Sequence, residues 1–152
     1  MTLEMIHIGV MALLVVAAVW DMRMARIPNW LVLLFLPLFA LKAFLFPQDV
    51  DLLWQIVFAA VVFAAGFGLF AAGAIGAGAV KLMAATALFM PMDRLGVIGL
   101  TLLAAVIGGL ILFGTLRNMF GAEDASWACL RKRIIPMAVP IAVTGVTALL
   151  LF

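Results

Sequence analysis

Hydrophobic residues run along this chain in long blocks, with the charged residues collected at the block edges. Positions 5–20, 27–41, 52–80, 82–92, 95–116 and 134–152 hold no Asp, Glu, Lys or Arg. Nothing in these blocks alternates polar and apolar with period two, which excludes the strands of a transmembrane barrel. Long apolar runs predict membrane-crossing helices instead. At about 1.5 Å of rise per residue the whole chain makes roughly 228 Å of helix, enough for about seven crossings of a hydrocarbon layer ~30 Å thick. With loops subtracted, the expectation is an all-α, polytopic integral membrane bundle of about six transmembrane helices.

Two blocks have awkward lengths. The stretch 52–80 exceeds what a membrane needs, but Gly73, Gly76 and Gly78 predict an early end and a Gly-rich bend, because glycine is a poor helix former and permits turns that other residues resist. The next helix, 79 to about 90, gives only about 18 Å before Pro91, less than the hydrocarbon thickness. It is expected either to border a thinned, water-accessible region or to lie buried among its neighbours.

Composition and charge add topology. The chain is 69% hydrophobic and 11% charged, with a mean hydropathy of +1.38, whereas soluble domains run near half apolar and about a quarter charged. Nine basic residues, seven acidic ones and the lone Cys129 leave no material for a soluble domain, a zinc module or a disulfide framework. Residues 1–152 are therefore expected to form one transmembrane domain. Glu4 stands where a secretory signal carries basic residues, so the first helix is expected to stay, with its N-terminus outside. Successive crossings then put Arg23, Arg26, Lys81, Arg117, Arg131, Lys132 and Arg133 inside and only Lys42 and Arg94 outside, as the positive-inside rule demands. Trp20, Trp30 and Trp127 read as inner interfacial anchors, and Trp54 as an outer one.

Few residues remain to carry chemistry. Asp21, at the inner end of the first helix, is a carboxylate at membrane depth, which is costly unless it faces a partner or a polar interior; beside Arg23 and Arg26 it also reads as a solvated interfacial residue. Pro28 and Asn29 fit the start of the next helix. The segment from Gly73 through Gly76 and Gly78 to Lys81 is a flexible loop entering a helix, but its spacing matches neither a phosphate loop nor a dinucleotide fingerprint. Close helix packing through small residues is the competing account. His7 reads as an interfacial or hydrogen-bonded histidine, Ser126 has no histidine nearby for a serine-protease arrangement, and no cluster has metal-ligand spacing. No cofactor, metal or nucleic-acid partner is expected.

Asp21 with Ile27-Pro28-Asn29, and Gly76-Ala77-Gly78-Ala79-Val80-Lys81-Leu82, resemble the two signature regions of the type IV prepilin peptidases, membrane aspartyl proteases of the GxGD type, in the short form associated with tight-adherence (Flp) pili. In that family an Asp stands six residues before the Ile of Ile-Pro-Asn/Asp, and a second Asp ends Gly-x-Gly-Asp before Val-Lys. The first pattern is intact here. The second keeps its glycines, Val80 and Lys81, but has Ala79 at the second catalytic position. A looser likeness covers Pro136 to Ala142, where Met137 replaces the usual Tyr and Pro140 an Ala.

The resemblance implies an intramembrane endopeptidase that removes the basic leader of a prepilin at the cytoplasmic face of a bacterial inner membrane, with both termini periplasmic. It implies Asp21 and position 79 as the catalytic pair, supported by Ile27, Pro28, Asn29, Gly76, Gly78 and Lys81. An aspartyl dyad needs one carboxylate to take a proton from water and a protonated partner to hydrogen-bond the scissile carbonyl. With Ala79, whether substituted by design or by nature, the chain is expected to be inactive. Glu123 and Asp124 read as a solvated loop or as an attraction for a basic leader. The cysteine pairs of the family's methyltransferase part are missing, so that activity is not expected. The competing readings are a noncatalytic pilin-binding protein and a small multi-span transporter with Asp21 and Lys81 along a polar path; neither the particular pilin nor the oligomeric state is legible.

Overall fold

A computed structural model describes residues 2–120 and 136–151. Glu123, Asp124, Ser126, Trp127, Cys129, Arg131, Lys132 and Arg133 lie outside the described residues. The elements are α1 (Leu3–Met24), α2 (Asn29–Leu33), α3 (Phe35–Leu45), α4 (Leu52–Ala71), α5 (Ala77–Ala87), α6 (Leu95–Phe120) and α7 (Ala138–Leu151), and no strand occurs among the described residues. The helical rods follow the charge-free blocks except that α5 starts within 52–80 and runs across Lys81, and the fold is an all-α bundle. The rod of α2 and α3 breaks at Leu34. Pro37 has no amide to donate to the carbonyl of Leu33, four residues earlier, and the break falls there.

The early end of the fourth rod has a clear local cause. After Ala71 the chain closes with Gly73 at φ 75°, Gly73 N–H donating to Phe70 O at 2.9 Å and Ala74 N–H to Leu69 O at 2.9 Å. That is a Schellman closure, which needs a left-handed residue where glycine costs least. The bend expected from the glycines is present, and α5 starts directly after it.

The long apolar helices are the least buried, and α5 and α7 the most. In α1, α4 and α6 only 28%, 17% and 11% of the most apolar windows are buried within the protein. In the short α5, six of 11 residues are buried, and in α7 eight of 14. The long helices therefore present apolar surface to lipid, while α5 and α7 form the interior. The shortness of α5, about 16 Å of rise, goes with burial among its neighbours. Leu14 of α1 closes on α7 at Gly145, where an added Cβ would come 2.6 Å from Leu14 Cδ1 and 3.0 Å from Thr86 Cγ2 of α5. Phe35 and Phe39 pack edge-on against Phe89, with ring centroids 6.3 and 5.7 Å apart. Buried hydroxyls bond within their own helices, Thr86 to Leu82 O and Thr144 to Pro140 O, which satisfies them without a partner from another helix. By length and composition three helices, Leu3–Met24, Leu52–Ala71 and Met92–Leu116, are able to cross a membrane; the other three rods are shorter.

Candidate active site

Four chain segments meet at one end of the bundle: the C-terminal end of α1 and the starts of α2, α5 and α7. Met24 ends α1, and Ala25 turns the chain in the left-handed region at φ 52°, its N–H donating to Asp21 O at 2.8 Å. Three residues later Pro28 precedes α2, its fixed φ fitting the approach to a helix. Trp20 and Trp30 meet edge to face across this turn, centroids 5.9 Å apart, so two of the three residues read as inner anchors form one aromatic pair.

Asp21 is 9% exposed. Its Oδ2 accepts the backbone N–H of Ala138, the first residue of α7, at 3.0 Å. A helix start leaves its first amides without intrahelical partners. In α7 Ala138 donates to Asp21, Val139 to Pro136 O at 3.1 Å and Pro140 has no N–H, before Ile141 makes the first i→i−4 bond, to Met137 O at 3.4 Å. A buried carboxylate at a helix N-terminus also meets the positive end of the helix dipole. Sequence reasoning did not find Ala138 as a partner. The signal was the loose likeness around Pro136, whose proline marks a helix start that needs an acceptor.

The Gly76 to Lys81 segment reaches the same end by different contacts. Gly76 precedes α5, with Ala79 N–H donating back to its carbonyl at 3.0 Å. Gly78 lies against Ile27: a Cβ there would stand 3.0 Å from Ile27 Cβ and 3.5 Å from Ile27 N. One turn on, Lys81 Nζ donates to Asn29 Oδ1 at 3.0 Å, joining α5 to α2. The two segments singled out by motif are thus in direct contact, and the Pro136 region joins them through Asp21. Ala79 itself is 4% exposed and belongs to the apolar core. The hydrogen bond of the Asp21 carboxylate runs to α7, whereas the contacts to α5 are made by Ile27 and Asn29.

A second set of polar groups lies at the opposite end. Lys42 is 6% exposed, with its ammonium 5.9 Å from the centre of the Phe89 ring, and Gln55 is 5% exposed. His7 Nε2 and Gln55 Oε1 are buried without a hydrogen-bond partner among the described residues. Burial of Lys42 was not legible, because one lysine near the end of an apolar run reads as an interfacial charge. Among the described residues no group of three His, Cys, Asp or Glu side chains is placed to hold a metal ion.

No curated protein and no solved structure matches the chain. The model of the type IV leader peptidase family matches residues 8–114, a span that contains Asp21, Ile27-Pro28-Asn29 and the whole Gly76 to Lys81 segment but stops before α7. With well over half of its length matched, and with the two motif segments in contact, this membrane protein belongs to the type IV leader peptidase family.

Proposed function

We propose that the chain is a prepilin leader peptidase of the GxGD aspartyl type, specialised for tight-adherence (Flp) prepilins, in which Ala79 has removed one of two catalytic carboxylates. The single observation that carries this reading is the convergence of the motif segments, with Ile27 on Gly78 and Asn29 on Lys81, beside a buried Asp21 held by Ala138. In the active form Asp21 and a carboxylate at position 79 share one proton. The ionised partner accepts a proton from water, the protonated one hydrogen-bonds the scissile carbonyl, and the roles of donor and acceptor exchange as the amide departs. Ile27, Pro28, Asn29, Gly76, Gly78 and Lys81 support the two segments.

The substrate is a prepilin with its apolar helix in the bilayer and its basic leader in the cytoplasm. The six-crossing topology, with both termini periplasmic in a bacterial inner membrane, puts Asp21 and position 79 at the face where leader and helix meet. A second reading, a noncatalytic pilin-binding protein, is favoured by Ala79 itself, whose methyl is packed in the apolar core. Family membership weighs against the transporter reading.

The test is leader removal from a membrane-embedded prepilin, followed as a mobility shift and confirmed at the new N-terminus. The chain as it stands should be inert, and Ala79→Asp should cleave. A folded Ala79→Asp variant that binds prepilin and remains inert supports the noncatalytic reading; cleavage by the unaltered chain at the same rate refutes the dyad.

A further inference from the structure

Among the described residues side-chain hydrogen bonds form within one helix, between chain neighbours, and between separate helices, as from Ala138 N–H to Asp21 Oδ2. The threonine hydroxyls bond within their own helices, at Thr86, Thr101, Thr115 and Thr144, and hold nothing together between elements. The bond from Lys81 Nζ to Asn29 Oδ1 joins residues 52 positions apart on two different helices. It stands one helical turn from the contact of Gly78 with Ile27, where the backbones already approach so closely that a methyl group would reach 3.0 Å from Ile27 Cβ. Lys81 and Asn29 are both exposed, so neither is needed to fill the core, and either can be changed without opening a cavity.

The placement of this pair along the chain gives it leverage. Asn29 begins α2, directly after the turn that follows Asp21. Lys81 lies two residues after position 79 on α5. The bond therefore ties together the two backbones that carry position 21 and position 79. We propose that Asn29 and Lys81 are positioning residues of the peptidase: their hydrogen bond clamps the start of α2 onto the first turns of α5 and sets the separation of the two catalytic positions. This rests on the reading of Asp21 and position 79 as the catalytic pair. An ammonium donor and an amide acceptor suit the task at a membrane surface, since the pair keeps its direction without needing burial, and neither member adds a carboxylate beside the dyad. Displacement of a catalytic group by about 1 Å can cost on the order of 100-fold in rate, so a weak surface bond is able to have a large effect on turnover while adding little to stability.

Two measurements test the proposal separately from the reading beneath it. The first reads geometry in the full chain without catalysis. Cysteines are placed at positions 21 and 79 with Cys129→Ser, and the rate of oxidative cross-linking in membranes is compared with and without Asn29→Leu or Lys81→Met. The clamp predicts fast cross-linking that falls about tenfold in either variant and is retained in Lys81→Arg and Asn29→Asp, which keep a donor and an acceptor. Fast cross-linking that neither variant changes overturns the clamp and leaves the dyad standing. Absent cross-linking with the clamp intact overturns both.

The second measurement uses Ala79→Asp and prepilin cleavage. Asn29→Leu and Lys81→Met should each lower kcat about tenfold or more with KM within about twofold. The double variant should be no worse than either single one, because both remove the same bond. Rescue by Lys81→Arg, which keeps the donor and adds no carboxylate beside the dyad, is expected. Effects that multiply in the double variant, or that fall on KM alone, overturn the clamp and assign Lys81 to substrate binding instead.

Discussion

Asp21 carries two duties that substitution can separate. Its Oδ2 is the acceptor for Ala138 N–H at the start of α7, and the proposed chemistry needs its ionisable carboxyl. Asp21→Ala removes both. It leaves a buried amide without a partner, which costs about 1–3 kcal/mol, and it removes a negative charge from a helix N-terminus, worth about 0.3–1 kcal/mol and more where partly buried. The expected loss is therefore about 1–4 kcal/mol, a large fraction of a total stability of roughly 5–15 kcal/mol. Asp21→Asn keeps an oxygen of the same reach, so it should lose less than about 1 kcal/mol. In the Ala79→Asp form the Asn variant cannot take a proton from water, and cleavage should fall by at least about 100- to 10,000-fold, or roughly 3–5 kcal/mol of barrier. The assays are reversible unfolding in mixed detergent, followed by tryptophan fluorescence, and leader removal under single-turnover conditions. If Asn is as destabilising as Ala, the account of the Ala138 bond is wrong. If the Asn variant remains stable and still cleaves, Asp21 is a helix cap and not a catalytic group.

Other outcomes follow from the packing and the charge pattern. Gly145→Ala should lower stability by about 1–3 kcal/mol through overpacking, since its Cβ would stand 2.6 Å from Leu14 Cδ1; Leu14→Ala alone should cost about 2–5 kcal/mol, the double variant should lose less than the sum of the two, and strictly additive effects in unfolding would show that the two side chains do not meet. In the six-crossing topology, single cysteines at positions 49 and 93 should react with an impermeant maleimide added from the periplasmic side, and one at position 26 should not. Reaction at position 26 from that side would put the Asp21 end on the wrong face for a cytoplasmic leader.

The helical blocks were legible because charge is so costly in hydrocarbon that its absence alone marks the rods, and the end of α4 was legible because Gly73 can take a left-handed turn. Which face of each rod points inward was not. A helix that is apolar all round carries no amphipathic signal, so the central place of α5, the burial of Lys42 over Phe89 and the contact of Leu14 with Gly145 needed three dimensions. The motif segments were legible as Ile27-Pro28-Asn29 and Gly76 to Lys81, whereas their contacts were not, since Ile27 on Gly78 and Asn29 on Lys81 depend on how two rods cross. Ala138 was the least visible of all. It contributes a backbone amide, which only the neighbouring Pro136 hints at by marking a helix start.

The contact with Ala138 also bears on how such a site tolerates two acids. Position 79 is 4% exposed and lies in the apolar core, where an unpaired full negative charge would be prohibitive. A shared proton leaves the pair with one charge, and one charge is what the start of α7 is equipped to meet, with a single carboxylate oxygen already bonded to its first amide. The proline at the third position of α7 removes another donor, so this helix start does not offer several free amides to hold two anions. If Asp21 and position 79 are the pair proposed above, Ala79 takes away the proton-bearing partner while Asp21 keeps its place as acceptor for the first amide of α7.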